Sequence, residues 1–194
     1  MRTERRMNRL ENVLRHRQPD LTVVMENIHD PHNVSAVLRS CDAAGVMAVQ
    51  LIYTGNEYPK IGKKSSASAK KWMEIRCFKS VKECYDKLHE EGCIIYATHL
   101  GEKARSLFDV DLTKKLAIVV GNEHEGVSPE AAEFADGIIQ IPMFGMIQSL
   151  NVSVATAVIL FEAVRQRIAS GHYDRAKMPD EELTKLLKVW AMKK

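Results

Sequence analysis

Cysteine is scarce in this chain of 194 residues, and the four present form no pattern. Cys41, Cys77, Cys84 and Cys93 make no C-x-x-C pair and have no His at metal-ligand spacing. That argues against a zinc site or a disulfide framework and for a reducing, cytoplasmic setting. Long apolar runs are missing as well. The longest, around 152–160, is broken by Ser153 and Thr156 and falls well short of the ~20 residues that span a bilayer. The first twenty residues are Arg-rich rather than apolar, which points away from a secretory signal. No membrane partner is expected. Carboxylates do not cluster either, so no metal is expected. What is present suffices for one good core: 45% hydrophobic residues in 21.9 kDa exclude a disordered chain.

The net charge of +3 hides an uneven distribution. Residues 1–17 hold six Arg against Glu4 and Glu11, and residues 163–194 hold eight Lys/Arg against four acids. The middle is acidic, except that 60–76 carries Lys60, Lys63, Lys64, Lys70, Lys71 and Arg76 against Glu74 alone. Three basic segments on a neutral-to-acidic body suit a polyanion, because Lys and Arg contacts to phosphates release counterions. On charge alone, solvated helix faces fit equally well. Arg5, Arg6, Arg9, Lys63, Lys64, Lys70 and Arg165 are the candidate RNA-binding residues.

Met7, Leu10 and Leu14 place one narrow apolar stripe on an Arg-rich helix that Gln18-Pro19-Asp20 stops. Such a helix must dock on something. Leu21–Met25 reads as a buried strand, Val34–Ala44 as a helix ended by Gly45, and Val46–Tyr53 as a second strand. Lys60–Lys71 reads as a loop and Trp72–Phe78 as a short strand. Val81, Tyr85 and Leu88 mark a helix closed near Gly92, with strands at Cys93–Thr98 and Leu116–Val120 beyond it. Ser128-Pro129 starts a helix, Gly137–Ile141 is a strand, Leu150–Ser170 a long helix and Asp180–Met192 a final one. Strands alternating with helices predict an α/β fold, a parallel sheet with helices on both faces. Ligands of such sheets bind beyond the carboxyl ends of the strands.

Neither G-x-G-x-x-G nor a complete P-loop occurs. Gly121-Asn-Glu-His-Glu-Gly126 has P-loop glycine spacing, but Val127 stands where the phosphate-gripping Lys belongs. Those glycines fit either a ligand loop or a plain turn. Ile141-Pro-Met-Phe-Gly-Met-Ile-Gln-Ser-Leu-Asn-Val-Ser153 is irregular, with apolar residues running into an unusually polar helix start. It could receive an adenine-bearing ligand between apolar walls and backbone groups. Ser149 also reads as the N-cap of the helix, with Asn151 and Ser153 satisfying N–H groups of its first turn.

Taken in order, the segments 33–45 (NVSAVLRSCDAAG), 118–126 (IVVGNEHEG) and 141–155 (IPMFGMIQSLNVSVA) resemble the three motifs of the SPOUT superfamily of RNA methyltransferases, nearest to its TrmH family of tRNA guanosine 2′-O-methyltransferases. The resemblance implies a C-terminal deep trefoil knot at about 118–165 inside a methyltransferase domain at 20–171. A basic helix at 1–19 precedes that domain and a helical extension at 172–194 follows it. It implies S-adenosylmethionine as methyl donor and a homodimer. It puts Asn33, Arg39, Glu123, Ser149 and Asn151 among catalytic and RNA-handling residues. Thr98, Leu100, Gly121, Ile141, Met143, Gly145 and Leu150 would contact the donor.

A ribose 2′-hydroxyl is a poor nucleophile, so the site must position it and help with its proton. The resemblance assigns this to Arg39, yet an arginine stays protonated throughout the physiological pH range and is a reluctant base. Arg39 would stabilise the developing alkoxide or hold the adjacent phosphate. Glu123 would orient Arg39 or the backbone of the cofactor loop. Only about twenty residues precede the first strand, and both ends are basic, which favours tRNA, with a D-loop guanosine as target. A ribosomal-RNA methyltransferase and a silent RNA-binding module of the same fold are the alternatives.

Overall fold

A computed structural model describes residues 3–55, 58 and 69–193. Lys63 and Lys64 lie outside the described residues.

Seven parallel strands form one sheet: β1 (Gln18–Glu26), β2 (Val46–Ile52), β3 (Glu74–Phe78), β4 (Ile94–Thr98), β5 (Arg105–Ser106), β6 (Leu116–Val120) and β7 (Gly137–Gln140). Their order is β3-β2-β1-β6-β4-β7-β5. The central strands read as continuous apolar runs because both faces are covered: every residue of β6 is buried, and so are Val23, Val24 and Met25 of β1. On one face α2 (Pro31–Ala43) packs on α5 (Val152–Ala169); on the other lie α3 (Val81–Glu90) and α4 (Pro129–Glu133). The α/β expectation holds.

The boundaries differ in places. β1 begins at Gln18, not Leu21; its register against β2 slips between Gln18 and Thr22, where Pro19 has no N–H to donate. The two-residue edge strand β5 was not anticipated, being too short to show a period. α5 starts at Val152, two residues later than expected. Its N-cap is Asn151, whose side chain accepts the Ser153 N–H at 2.9 Å, so Ser149 is not the cap. Gly45 is obligatory after α2: its φ is +78°, and a Cβ there would sit 2.7 Å from the His16 carbonyl oxygen.

The terminal helices pack on each other. α1 (Glu4–Arg15) and α6 (Asp180–Met192) bury Leu10, Leu14, Leu183 and Trp190 together, with the Trp72 ring tilted against Trp190 at 5.1 Å between centroids. The narrow stripe of α1 thus finds its partner within the chain. Two basic residues are absorbed in this packing. Arg17 is fully buried over the Trp190 ring and pairs with Asp42 at 2.5 Å, and the Arg6 guanidinium donates to the Lys193 carbonyl.

A second buried arginine ties the end of α5 to the sheet. Arg167 bonds the Leu112 and Lys114 carbonyls, Gln18 and the Asp20 carboxylate at 2.6 Å. Asp20 also accepts from Lys177, whose ammonium lies 2.6 Å from His172 Nδ1. Burial raises the Asp20 carboxyl pKa, but the Lys177 and Arg167 contacts outweigh it and hold the group below its ordinary value.

Candidate functional site

A cleft of about 540 Å³ opens beyond the carboxyl ends of β4, β6 and β7, where an open parallel sheet places its ligands. Its size falls within the usual ~300–1,000 Å³ of small-molecule sites. The loops 98–100, 121–126 and 141–151 line it. Of the donor-contact residues expected from the sequence, Thr98, Leu100, Gly121, Ile141, Met143 and Leu150 lie in the cleft; Gly145 lines the adjoining groove. Thr98 is occupied structurally, donating from Oγ1 to the Val119 carbonyl at 2.9 Å.

Gly121 follows β6 and opens a small hairpin. Asn122 and Gly126 exchange backbone hydrogen bonds at 3.0 and 3.1 Å, and a Cβ on Gly121 would lie 1.9 Å from the Gly126 carbonyl oxygen. Only glycine fits. The P-loop-like spacing therefore reflects close backbone approach, not a phosphate grip. The Asn122 side-chain oxygen accepts the N–H groups of His124 and Glu125, and buried Glu26 accepts the Ser128 N–H at 2.9 Å. Glu26 was not legible as a support of this loop, since it stands at the end of an apolar strand.

Glu123 reaches out of this hairpin toward the start of α2. Its carboxylate accepts the His29 and Asp30 N–H groups at 3.4 Å each and the Asn33 amide at 2.8 Å. Asn33 Oδ1 in turn accepts the Asn151 amide at 3.2 Å, while Asn151 Oδ1 caps α5. Three distant motifs thus meet in one chain of hydrogen bonds. Burial raises the Glu123 carboxyl pKa, and the bonds from Asn33, Asp30 and His29 more than reverse it, leaving it below its ordinary value. Glu123 makes no hydrogen bond or ion pair with Arg39 among the described residues; what it orients is Asn33 and the backbone entering α2. Ser149 lines the cleft, exposed and without a hydrogen bond among the described residues.

Arg39 is not brought to this site within one chain. It projects exposed from α2 six residues beyond Asn33, about 1.7 helical turns, has no hydrogen-bond or ion-pair partner among the described residues and does not line the cleft. The expected RNA contacts divide similarly. Arg5, Arg9 and Lys70 are exposed and unpaired among the described residues, Arg6 is engaged with Lys193, and Arg165 is held by Glu162 at 2.7 Å. Sequence reasoning missed His99, His124 and Glu125, which line the cleft. The last two adjoin Glu123 in the hairpin, a signal that was available.

The main chain of 142–150 has no hydrogen-bond partner in the protein among the described residues. Its N–H and C=O groups, beside the apolar Leu100, Ile141 and Leu150, suit a ligand with a flat base and polar edges, and S-adenosylmethionine fits that description.

A parallel α/β sheet with such a cleft at its strand ends has the architecture of a small-molecule-binding α/β domain. The chain belongs to the SpoU rRNA methylase family, whose model matches residues 20–161. It is 50% identical to the tRNA (guanosine(18)-2′-O)-methyltransferase of Thermus thermophilus, over 99% of this chain and 98% of that one. The crystal structure of the Aquifex aeolicus TrmH/SpoU tRNA modifying enzyme superposes with a TM-score of 0.90 at 43% identity, covering 97% of this chain and 95% of that one. The SpoU methyltransferase AviRb from Streptomyces viridochromogenes, solved in complex with the cofactor AdoMet, is 26% identical with a TM-score of 0.70, over 80% of this chain and 62% of its own.

Proposed function

We propose that the chain transfers a methyl group from S-adenosylmethionine to the ribose 2′-hydroxyl of a guanosine in tRNA, the D-loop guanosine being its target. The observation that carries this reading is the cleft itself. Free backbone groups and apolar walls for the donor lie next to the Asn33–Glu123–Asn151 chain, in a protein that matches a tRNA guanosine 2′-O-methyltransferase almost end to end. When bound, the cofactor supplies an electrophilic methyl group. The protein's part is to hold the ribose in line and to stabilise the oxygen as its proton leaves. On this reading the Asn33 and Asn151 amides and the Ser149 hydroxyl orient the ribose. Arg39, always charged, stabilises the alkoxide or grips the neighbouring phosphate.

Because Arg39 lies outside its own chain's cleft, the reading includes a homodimer in which α2 of one copy completes the site of the other. Supporting this are Phe144 and Met146, 97% and 99% exposed, and the exposed Val154, Phe161 and Ile168 at heptad spacing on α5, apolar surface that a second copy would cover. The trefoil knot at about 118–165 is part of the proposal; it is supported by the return of the chain from β7 across the cleft to set α5 on α2. So is the division into a basic helix at 1–19, a methyltransferase domain at 20–171 and an extension at 172–194. The buried free thiols of Cys41, Cys84 and Cys93 suit a reducing cytoplasm. Incubation with labelled S-adenosylmethionine and unmodified tRNA transcript, followed by mapping of the modified nucleotide, tests the reading. Label at a guanosine ribose of the D-loop supports it, and label on a base or on ribosomal RNA alone overturns it.

A further inference from the structure

The hairpin 121–126 brings two carboxylates to the cleft, and only one has a partner. Glu123 is engaged by three donors. Glu125, two residues on, lines the cleft, is exposed, and makes no side-chain hydrogen bond or ion pair among the described residues. Its backbone is held firmly: its N–H is bonded by Asn122 Oδ1 at 2.7 Å, and the hairpin is closed by Asn122 and Gly126, the latter at φ +71°. The backbone that carries the unpaired carboxylate is therefore fixed on the wall of a site that, on the reading above, receives a polyanion. Such a charge repels phosphate and is tolerated best where it meets hydrogen-bond donors.

A guanine base supplies those donors. Its Watson–Crick edge presents N1–H and the 2-amino group side by side, matching the two oxygens of one carboxylate. Adenine and cytosine place an acceptor next to their amino group, and uracil has a single N–H between two acceptors, so none of them offers a carboxylate two adjacent donors. Unstacked RNA bases are commonly read along this edge. We propose that Glu125 is a specificity-determining residue that reads the N1–H and 2-amino group of the target guanine. This rests on the methyltransferase reading and deepens it.

The test compares wild type, Glu125→Ala and Glu125→Asp on two tRNA transcripts that carry guanosine or inosine at the modified position. Inosine lacks only the 2-amino group. Wild type should favour guanosine by roughly 10- to 100-fold in kcat/KM, the cost of losing one hydrogen bond to a charged group. Glu125→Ala should lose that preference, its rates on guanosine and inosine both falling to or below the wild-type inosine level, while Glu125→Asp recovers part of it. Binding of S-adenosylmethionine by calorimetry should be unchanged in both variants. An unchanged guanosine-to-inosine ratio in Glu125→Ala overturns the proposal. So does a loss of cofactor affinity at constant ratio, which would place the carboxylate against the amino group of the cofactor instead. Wild type that methylates neither transcript would sink the functional reading itself, a result distinct from either.

Discussion

Asn33 Nδ2 donates to Glu123 Oε1 at 2.8 Å, so the first turn of α2 and the hairpin after β6 are joined side chain to side chain across ninety residues of sequence. The bond is directional. A carboxylate only accepts, which fixes the Asn33 amide with its nitrogen toward Glu123 and its oxygen toward Asn151. Glu123→Gln introduces an amide that can turn either way, and Glu123→Ala removes the acceptor for three donors. Both should slow methyl transfer, with Ala the slower, and Ala should lower stability by roughly 1 kcal/mol, a modest figure because the carboxylate is partly solvated. Urea denaturation alongside single-turnover rates checks this. Because the folded pKa is depressed, the stabilising contribution is present above the unfolded value near 4.5 and is lost only as pH falls through the lower folded value. Glu123 should therefore leave no inflection in rate between pH 6 and 8.

A pH dependence does belong to His172. Burial, with the positive charges of Lys177 and Arg167 beside it, lowers its pKa from the ordinary 6.5, while Asp20 and Asp111 oppose this weakly. The unfolded chain then binds a proton that the folded chain resists, so stability falls as pH drops below about 6.5. Asp20 and Glu123, both depressed, lose their contributions only at still lower pH. The thermal midpoint should drop between pH 6.5 and 5 in wild type and drop less in His172→Gln. Equal slopes for the two proteins would refute this assignment.

The N-terminal arginines should separate into two classes. Arg5 and Arg9 are exposed without partners among the described residues, and their joint replacement by Ala should weaken tRNA binding and reduce the slope of log affinity against log salt by between one and two. Stability should stay within ~0.5 kcal/mol. Arg17→Ala should behave oppositely, costing about 1–3 kcal/mol because it removes buried packing over the Trp190 ring and leaves the Val46 carbonyl without its donor, while the part-exposed Asp42 stays solvated. Filter binding at several salt concentrations, with thermal melts of the same proteins, distinguishes the two.

That split shows where the sequence was readable and where it was not. The alternation of apolar runs with helical stripes gave the α/β class, and the rule for strand ends pointed to the loops that line the cleft. Charge could be counted along the chain, but not which arginines would be buried: Arg17 and Arg6 look no different in sequence from Arg5 and Arg9, and only the docking of α6 on α1 separates them. The start of β1 was misplaced because Pro19 and Asp20 read as a helix stop while also serving as an irregular strand beginning. Ser149 and Asn151 are both good caps, and the choice between them depends on where the chain leaves the cleft, a tertiary fact. The meeting of Asn33, Glu123 and Asn151 carries no local signal; it was reachable only because three motifs in order resembled those of a known family.

Arg39 provides the sharpest test of the mechanism. Its exposure and lack of partners mean that the folded chain gains little from it, so Arg39→Ala should leave the thermal midpoint and cofactor affinity close to wild type. Methyl transfer should nevertheless fall by ~10²-fold or more, the usual cost of removing one preorganised electrostatic group. Arg39→Lys separates the two roles left open. A lysine keeps the charge but lacks the planar fork that can hold a phosphate or an alkoxide by two bonds. If charge suffices, Lys retains a measurable part of the rate; if the fork is required, Lys and Ala are comparably slow. Mixing Arg39→Ala with a cleft variant such as Glu123→Ala adds a third readout. Should α2 of one copy complete the cleft of the other, mixed dimers carry one intact composite site, and activity rises above that of either variant alone. An additive mixture would place Arg39 and the cleft it serves in the same chain, and an Arg39→Ala enzyme of wild-type rate would show that this arginine is merely a solvated surface residue.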